Sequence, residues 1–252
     1  MYSNQLHQLC LRLLCVLCLG VLGLGQAYAQ NSAPYISAAL NWTNGKTYFF
    51  LSDGTYLRYD NEQGKIDKDY PKRINNKTWP GIGNDAPLIT AAFRGPVANK
   101  VYFFFANGEY SRFDMANDQV DPGYPKDISD KTWRGMGAYA GQIYGALNWP
   151  GNKIQFFLQD GRYVRYDMNE DRVEAGYPKR ITRDSWPGLH RYAGKVAGMV
   201  NWSNNKAYFF LDDNTYLRYD IKDGEVDEGY PKRINDNTWP GMGKIFNRKS
   251  MP

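Results

Sequence analysis

The chain has 252 residues, with 31 Lys and Arg against 26 Asp and Glu and a net charge of +5. Because this charge is small and the cations are interspersed with acids, the composition argues against nucleic acid or a membrane surface as a partner. The three cysteines, Cys10, Cys15 and Cys18, all lie near the N-terminus. We therefore expect no disulfide and no thiolate chemistry in the rest of the chain.

Residues 1–29 predict a cleaved signal peptide. An apolar run from Leu13 to Leu24 follows Arg12, and Ala27-Tyr28-Ala29 fits a small-residue cleavage site. The run is too short for a membrane span, which needs about 20 apolar residues. We therefore expect a secreted protein, extracellular or periplasmic, without membrane insertion.

The remaining sequence repeats one hairpin motif four times. The first copy, Lys46–Asp60, reads KTYFFLSDGTYLRYD, and similar copies begin at Lys100, Lys153 and Lys206. Tyr-Pro pairs and single tryptophans recur with the same step of 53 or 54 residues. A repeat of this length indicates a propeller or a solenoid.

Each unit contains signals for several short antiparallel strands. Asn44-Gly45 and Asp53-Gly54 supply the positive φ that tight hairpin turns require. Consecutive apolar residues in Tyr48-Phe49-Phe50-Leu51 predict burial on both faces of the sheet. Four such units around an axis predict an all-β fold, a four-bladed β-propeller. A linear solenoid is the alternative, but its end units would need polar caps, and these end units look like the middle ones.

These motifs resemble the hemopexin-like repeat. The order is I-x-A-A, then K-x-Y-F-F, D-G-x-Y-x-R-Y-D, G-Y-P and W-P-G, and it extends from about residue 36 to residue 243. The resemblance implies one repeat per blade. It divides residues 34–243 into blades of about 34–86, 87–140, 141–193 and 194–243, followed by a short basic tail, 244–252. A single propeller after a signal peptide is most similar to bacterial photopexin-type proteins and hemopexin-type plant seed albumins.

The resemblance also raises the question of how the ring closes. Animal members of the family usually join the first and last blades by a disulfide, which this chain cannot form after Cys18. We expect closure through apolar contacts between the first and fourth blades, or through a strand at residues 33–36 that completes the ring.

A channel cation, calcium or sodium, is a second implication of the resemblance. In the family, backbone carbonyls after the first-strand Ile point into the central channel and can hold an ion. The corresponding positions here are Ser37, Thr90, Tyr144 and Ala197. The family commonly has Asp or Asn at these positions, so the missing acids predict a weaker site.

Residues that recur in all four units are expected to serve the blade. Arg58 and its copies are expected to stack or pack within the blade, and Trp79 and its copies to pack between blades. The basic pairs beginning with Lys72-Arg73 are interpreted as a solvated rim.

Unrepeated residues are the better candidates for function. His190 is a candidate haem ligand, although protein-built metal sites normally use several donors, and bis-His ligation would need a dimer. A hydrogen-bonded or solvated histidine is the alternative. The second unit has one extra residue between Arg94 and Asn99, so this loop, with Val97 in it, is a candidate partner-binding loop.

The sequence does not contain the motifs of common hydrolases or kinases. G-x-S-x-G, H-E-x-x-H and a glycine-rich phosphate loop are all missing. We therefore expect a binding module and not an enzyme, with a ligand at a propeller face or at the channel mouth. The candidate ligands are haem or iron, or another small cation such as a polyamine. The alternative is an adhesion or toxin-associated protein, monomeric or dimeric, that binds host or matrix proteins.

Overall fold

The computed structural model describes residues 33–203 and 205–246, so the predicted signal peptide lies outside the described residues. The first sheet contains β1 (Ile36–Asn41), β2 (Lys46–Leu51), β3 (Thr55–Asp60), β4 (Lys65–Ile66) and β5 (Lys72–Arg73). The second contains β6 (Ile89–Arg94), β7 (Lys100–Phe105), β8 (Glu109–Asp114), β9 (Gln119–Val120) and β10 (Lys126–Asp127). The third contains β11 (Ile143–Trp149), β12 (Lys153–Leu158), β13 (Arg162–Asp167), β14 (Arg172–Val173) and β15 (Lys179–Arg180). The fourth contains β16 (Val196–Asn201), β17 (Lys206–Leu211), β18 (Thr215–Asp220), β19 (Glu225–Val226) and β20 (Lys232–Arg233).

The connections between the sheets are short helical segments. The 3₁₀ helices are Ala86–Leu88, Gly137–Gln142, Leu189–Arg191 and Ala193–Lys195, and an α-helix, Gly243–Phe246, follows the last sheet. No helix in the described part of the chain has the length and apolar character needed to cross a membrane.

Three strands of each blade form the predicted meander. Gly45 and Gly54 have φ of 75°, and Asn214 has φ of 60°, so the hairpin turns use the residues that tolerate this conformation. The outer edge of each blade is not one continuous strand. β4 pairs with the end of β3 and β5 pairs with its start, so the edge is divided into two short strands. Pro71, which has no N–H for a ladder bond, lies between them.

The innermost strands close the four sheets into a ring. β1 lies against β6 and β16, and β11 lies against the same two strands. Because the first unit contacts the last, a linear solenoid is excluded. The structure confirms the predicted four-bladed propeller.

One tryptophan lies in each of the four interfaces between blades. They are Trp79, Trp133, Trp186 and Trp239, with exposed fractions of 2–4%. Each packs among phenylalanine and tyrosine rings. For example, the ring centre of Trp79 lies 5.1 Å from that of Phe50 in its own blade and 5.7 Å from that of Phe103 in the next. The predicted role in packing between blades is confirmed.

The fourth and first blades join in the same way as the other pairs. Phe49 of the first blade lies 5.5 Å from Phe210 and 5.6 Å from Trp239 of the fourth. The Ile66 amide also donates to the Pro240 carbonyl at 3.0 Å, across the interface. The backbone at Tyr35 pairs within its own blade, because its carbonyl accepts a hydrogen bond from the Ser52 amide at 3.0 Å. Apolar contact, the first of the two expected closures, therefore joins the ends.

The boundary expected at residue 243 needs a correction. Ile245 and Phe246 are 7% and 4% exposed, and they pack in the apolar cluster between the fourth and first blades. Residues 244–246 therefore belong to the propeller and not to a tail, because two apolar side chains complete the last interface. Residues 247–252 lie outside the described residues.

The repeated arginine acts within its blade, as expected. The Arg58 Nε donates to Asp67 at 2.5 Å, and its guanidinium lies 5.1 Å from the centre of the Tyr70 ring. Lys72 lies on the same ring at 4.8 Å. Arg112, Arg165 and Arg218 make the corresponding ring contacts in the other blades.

Candidate functional site

Each innermost strand contains a β-bulge at its second residue. The register shifts between Ile36 and Ala38 in β1, and the same shift occurs in β6, β11 and β16. The residues at the bulges are Ser37, Thr90, Tyr144 and Ala197. A bulge leaves one residue out of the ladder and changes the direction of its side chain. These four residues are the ones for which the family resemblance implied a place at the channel.

The four bulge residues line one cavity of about 450 Å³, which we call the wide mouth of the channel. Its wall is uneven. Ile89, Pro87 and Ala106 give it an apolar side in the second blade. The polar and aromatic lining comes from other segments: Tyr35, Gln159, Lys195 and Asp212.

Backbone groups also face the channel. β1, β6, β11 and β16 are each the edge strand of their sheet and have a hydrogen-bonded strand on one side only. In an edge strand, alternate N–H and C=O groups have no ladder partner. Peptide groups of the inner strands without a ladder partner therefore lie on the side away from the second strand of each blade.

The side chains at the bulges differ in what they can offer. The Ser37 hydroxyl donates to the Phe50 carbonyl at 3.2 Å, and the Thr90 hydroxyl donates to the Phe104 carbonyl at 3.3 Å. These two donors are therefore engaged within their own blades. The Tyr144 ring lies 6.2 Å from Phe157, and burial raises the pKa of its phenol well above the usual value. Tyr144 therefore stays neutral at physiological pH and can donate a hydrogen bond.

The other end of the channel is narrow, with a cavity of about 50 Å³. The side-chain amide of Asn41 donates to the backbone carbonyl of Asn201 at 2.5 Å. The side-chain amide of Asn201 donates to the backbone carbonyl of Asn148 at 2.9 Å. Arg94 takes the equivalent place in the second blade and lines the same end. Hydrogen bonds from asparagine side-chain amides to backbone carbonyls of other blades therefore constrict this end of the channel.

The candidate partner-binding loop lies at this narrow end, away from the four bulge residues. Val97 is 48% exposed, and the other exposed large hydrophobic side chain among residues 33–203 and 205–246 is Tyr35, at 38%. Asn99 has φ of 59°, and its carbonyl accepts from the Met115 amide at 2.8 Å. Asn99 is therefore a turn residue, whereas Arg94 and Val97 are exposed side chains.

His190 lies in the connection between the third and fourth blades. Its amide donates to the Trp186 carbonyl at 3.1 Å, and its buried Nδ1 has no partner in the described part of the chain. It does not line either end of the channel. The described residues contain no group of three or more His, Cys, Asp or Glu placed to hold a metal. Haem ligation by His190 stays a prediction.

The family model for hemopexin matches residues 36–84, 89–138, 145–191 and 199–244, which are the four blades. The chain belongs to the hemopexin family.

Two curated relatives are metalloproteinases. The chain is 27% identical over 199 residues to macrophage metalloelastase of Oryctolagus cuniculus, covering 78% of this chain and 38% of the relative. It is 25% identical over 212 residues to matrix metalloproteinase-21 of Homo sapiens, covering 77% and 35%. The hemopexin propeller therefore spans little more than a third of the length of these relatives.

Two solved structures with the same fold are plant proteins. The hemopexin fold protein CP4 from cow pea has a TM-score of 0.69 and 22% identity, covering 85% of this chain and 100% of that one. A plant albumin from Cicer arietinum, described as showing hemagglutination, has a TM-score of 0.68 and 22% identity, covering 85% and 99%. These likenesses show the fold.

Sequence reasoning missed several residues of the wide mouth of this hemopexin propeller. Tyr35 and Lys195 each come directly before an inner strand, while Gln159 and Asp212 each directly follow the second strand of a blade. A comparison of the four repeats already contained a signal for these residues. The copies of Asp212 are Ser52, Ala106 and Gln159, so the position varies from blade to blade. A comparison of all varying positions near the strand ends would have found them.

Proposed function

We propose that this propeller is a non-catalytic binding module that holds a small organic cation, such as a polyamine, at the wide mouth of its channel. The observation that carries the proposal is the convergence of four bulge residues on one cavity of about 450 Å³. This volume lies within the roughly 300–1,000 Å³ of small-molecule sites.

The lining favours a cationic ligand. The exposed Asp212 carboxylate has no ion pair within the described ranges, whereas the neighbouring Asp213 is paired with Lys195 at 3.2 Å. Tyr35 and Tyr144 supply aromatic faces, which attract cations, and the inner strands supply carbonyl oxygens. An ammonium group can therefore bind a carboxylate, a ring face and carbonyls in one cavity.

Calorimetric titration of the purified protein with spermidine tests this proposal. We expect saturable binding that weakens about tenfold or more in Asp212→Asn, because a charge-assisted bond contributes roughly 1.5–3 kcal/mol. Tyr144→Ala is expected to weaken binding as well. Asp223→Asn, an exposed acid in a turn of the fourth blade, is the control and should bind as the wild type does. Equal affinities in all four proteins would contradict the site.

We propose further that the channel can hold calcium or sodium through the carbonyls of the bulge residues. The peptide groups of the edge strands fit such an ion, but they offer it no negative charge, so affinity should be low. The expected result is a small rise in melting temperature when calcium chloride is added after chelation. A melting temperature that does not depend on either ion would oppose this proposal.

Haem is the other ligand proposed for this module, with His190 as its axial ligand. Its buried, unpartnered Nδ1 supports the proposal, and the lack of a second nearby donor set limits it. Hemin titration followed at the Soret band should give a shift that is lost in His190→Ala. A shift that persists in the variant would remove His190 from the proposal.

Export completes the proposed function. N-terminal sequencing of protein recovered outside the cytoplasm should begin at Gln30 if the predicted signal peptide is cleaved after Ala29. Intact residues 1–29 in that material would contradict cleavage.

A second candidate function is adhesion through the narrow end. The observation that favours it is the exposure of Val97, at 48%, in the repeat whose first hairpin has an extra residue. Immobilised host or matrix protein should retain the wild type and release Val97→Asp. Equal retention of both proteins would exclude the loop.

A further inference from the structure

The interface between the first and second blades breaks the fourfold repeat at one aromatic position. Three blades have tyrosine there: Tyr59, Tyr166 and Tyr219. The Tyr166 hydroxyl donates to the Asp171 carboxylate at 2.8 Å, and the Tyr219 hydroxyl donates to the Gly224 carbonyl at 2.7 Å. The second blade has Phe113 in this position, so the hydroxyl that would bind the facing turn is missing.

Asp118 is the residue that loses this partner. It takes the turn position equivalent to Asp171, with φ of 53° against 48°. The Asp118 side chain makes no hydrogen bond or ion pair with any residue that the structure describes. A carboxylate is therefore available at a place where a tyrosine hydroxyl binds the turn in the third and fourth blades.

This carboxylate lies on a cavity of about 300 Å³ between the two blades, which we call the side groove. The side groove is lined by Trp42, Tyr48, Arg58, Tyr70, Thr78 and Asp118. Trp42 and Tyr48 are half-buried, with their ring centres 5.3 Å apart and the rings tilted by 60°. The side groove therefore combines aromatic faces, hydroxyl groups, a guanidinium and a carboxylate.

These groups favour a neutral ligand that both donates and accepts hydrogen bonds. Arg58 is already paired with Asp67 at 2.5 Å, so an anion would meet no unpaired cation there, while a cation would meet the guanidinium near Asp118. Arg58 also already lies on the face of Tyr70, at 5.1 Å from its centre. Aromatic faces contact the C–H face of a sugar ring, while carboxylate and guanidinium bind its hydroxyls. We propose that the side groove binds one sugar ring of a saccharide.

The other three interfaces each lack a part of this set. The second has Gly95 where the first has Trp42, and the third has Gln155 where the first has Tyr48. The fourth keeps both aromatic residues, as Trp202 and Tyr208, but has Gly64 in place of Asp118. The first interface is therefore the one that combines both aromatic faces with the carboxylate.

Saturation-transfer NMR with the methyl glycosides of glucose, galactose, mannose and N-acetylglucosamine tests the proposal on the purified protein. At least one glycoside should give saturable transfer. Asp118→Gly, which creates the residue found at two other interfaces, should weaken this binding at least fivefold. Phe113→Tyr should weaken it similarly, because the new hydroxyl would bind Asp118. Asp171→Gly, the same change at the second interface, should bind as the wild type does.

Thermal denaturation of each variant shows whether a loss of glycoside binding comes from loss of the fold. Phe113→Tyr is expected to keep or raise the melting temperature, so its loss of binding would not reflect unfolding. The proposal is overturned if no glycoside binds saturably, or if Asp118→Gly and Phe113→Tyr bind as the wild type does. Binding of tetramethylammonium without any glycoside would overturn it as well. Asp212→Asn should leave glycoside binding unchanged, which separates this site from the wide mouth.

Discussion

Gln155 is the residue at which the third blade departs most from the others. It replaces the tyrosine found as Tyr48, Tyr102 and Tyr208, and it is fully buried. Neither atom of its amide has a partner among the described residues, and the Nε of its cross-strand neighbour Arg165 is also buried without one. A buried polar group without a hydrogen bond costs roughly 1–3 kcal/mol. The third blade therefore contains an unsatisfied polar pair.

We expect Gln155→Tyr to stabilise the protein by about 1 kcal/mol, since it removes the unpaired amide and adds aromatic packing. Urea denaturation monitored by fluorescence measures the free energy of unfolding. Gln155→Leu is the matched control and removes the amide without adding a ring. A loss of stability in both variants would show that the amide is satisfied by a bound molecule.

At the scale of the element, an ion-pair network joins the strands of every blade. In the second blade the Lys100 Nζ contacts Asp114 at 2.9 Å and Asp121 at 2.6 Å, and Arg112 contacts Asp121 at 2.5 Å. The Asp114 carboxylate also accepts the amide of Ala116 at 2.8 Å, which holds the next turn. The network therefore links the second strand, the third strand and the outer turn.

This network predicts a pH dependence of stability. The hydrogen bond from Lys100 holds the pKa of Asp114 below its usual 3.8, at about 2. Because the folded-state pKa is the lower one, ionised Asp114 stabilises the fold above about pH 4, and this contribution is lost as the pH falls towards 2. Asp114→Asn should lower the melting temperature at pH 7, and the difference from the wild type should disappear near pH 2.

Asp223→Asn is the control for this experiment, since this exposed side chain makes no ion pair in the part of the chain that the structure describes. Its melting temperature should follow that of the wild type at every pH. A difference between Asp114→Asn and the wild type that stays constant down to pH 2 would contradict the ionic origin.

At the scale of the whole molecule, the last interface decides whether the four blades form a ring. Phe246 and Ile245, from the terminal helix, pack in the cluster that also holds Ile36, Phe49 and Trp239. The Asn214 amide donates to the Phe246 carbonyl at 3.3 Å and ties this helix to the fourth blade. Burial of apolar side chains therefore joins the first and last blades, which animal members of the family usually join by a disulfide.

Phe246→Ala should lower the free energy of unfolding by about 3–5 kcal/mol, the usual cost of removing a buried phenylalanine. Chemical denaturation measures this change. Hydrogen exchange should show its largest increase in the first and fourth blades. Val97→Ala, at an exposed apolar position, should change stability little. Uniform faster exchange in all blades would show that the interface is not a local weak point.

Repetition in the sequence accounts for the fold. Hairpin turns such as Asn44-Gly45, the aromatic second strands and the 53-residue period are local features, and each predicts a blade without knowledge of distant contacts. The interface tryptophans were also predictable, because a large apolar residue that recurs in every unit must be buried by the neighbouring unit. The split outer edge and the burial of Phe246 could not be predicted, since both depend on which part of the folded protein the segment packs against.

The sequence by itself determined the blade and its fourfold repetition, because hydrogen bonding and apolar periodicity act over a few residues. The four channel positions came from the family resemblance. Only the tertiary structure decided that Tyr35, Asp212 and the bulge residues share one cavity, and that Asp118 of the second blade shares another with Trp42 and Tyr48 of the first. These contacts join blades about 50 residues or more apart in sequence, where closure of the ring and not the local pattern sets which side chains meet.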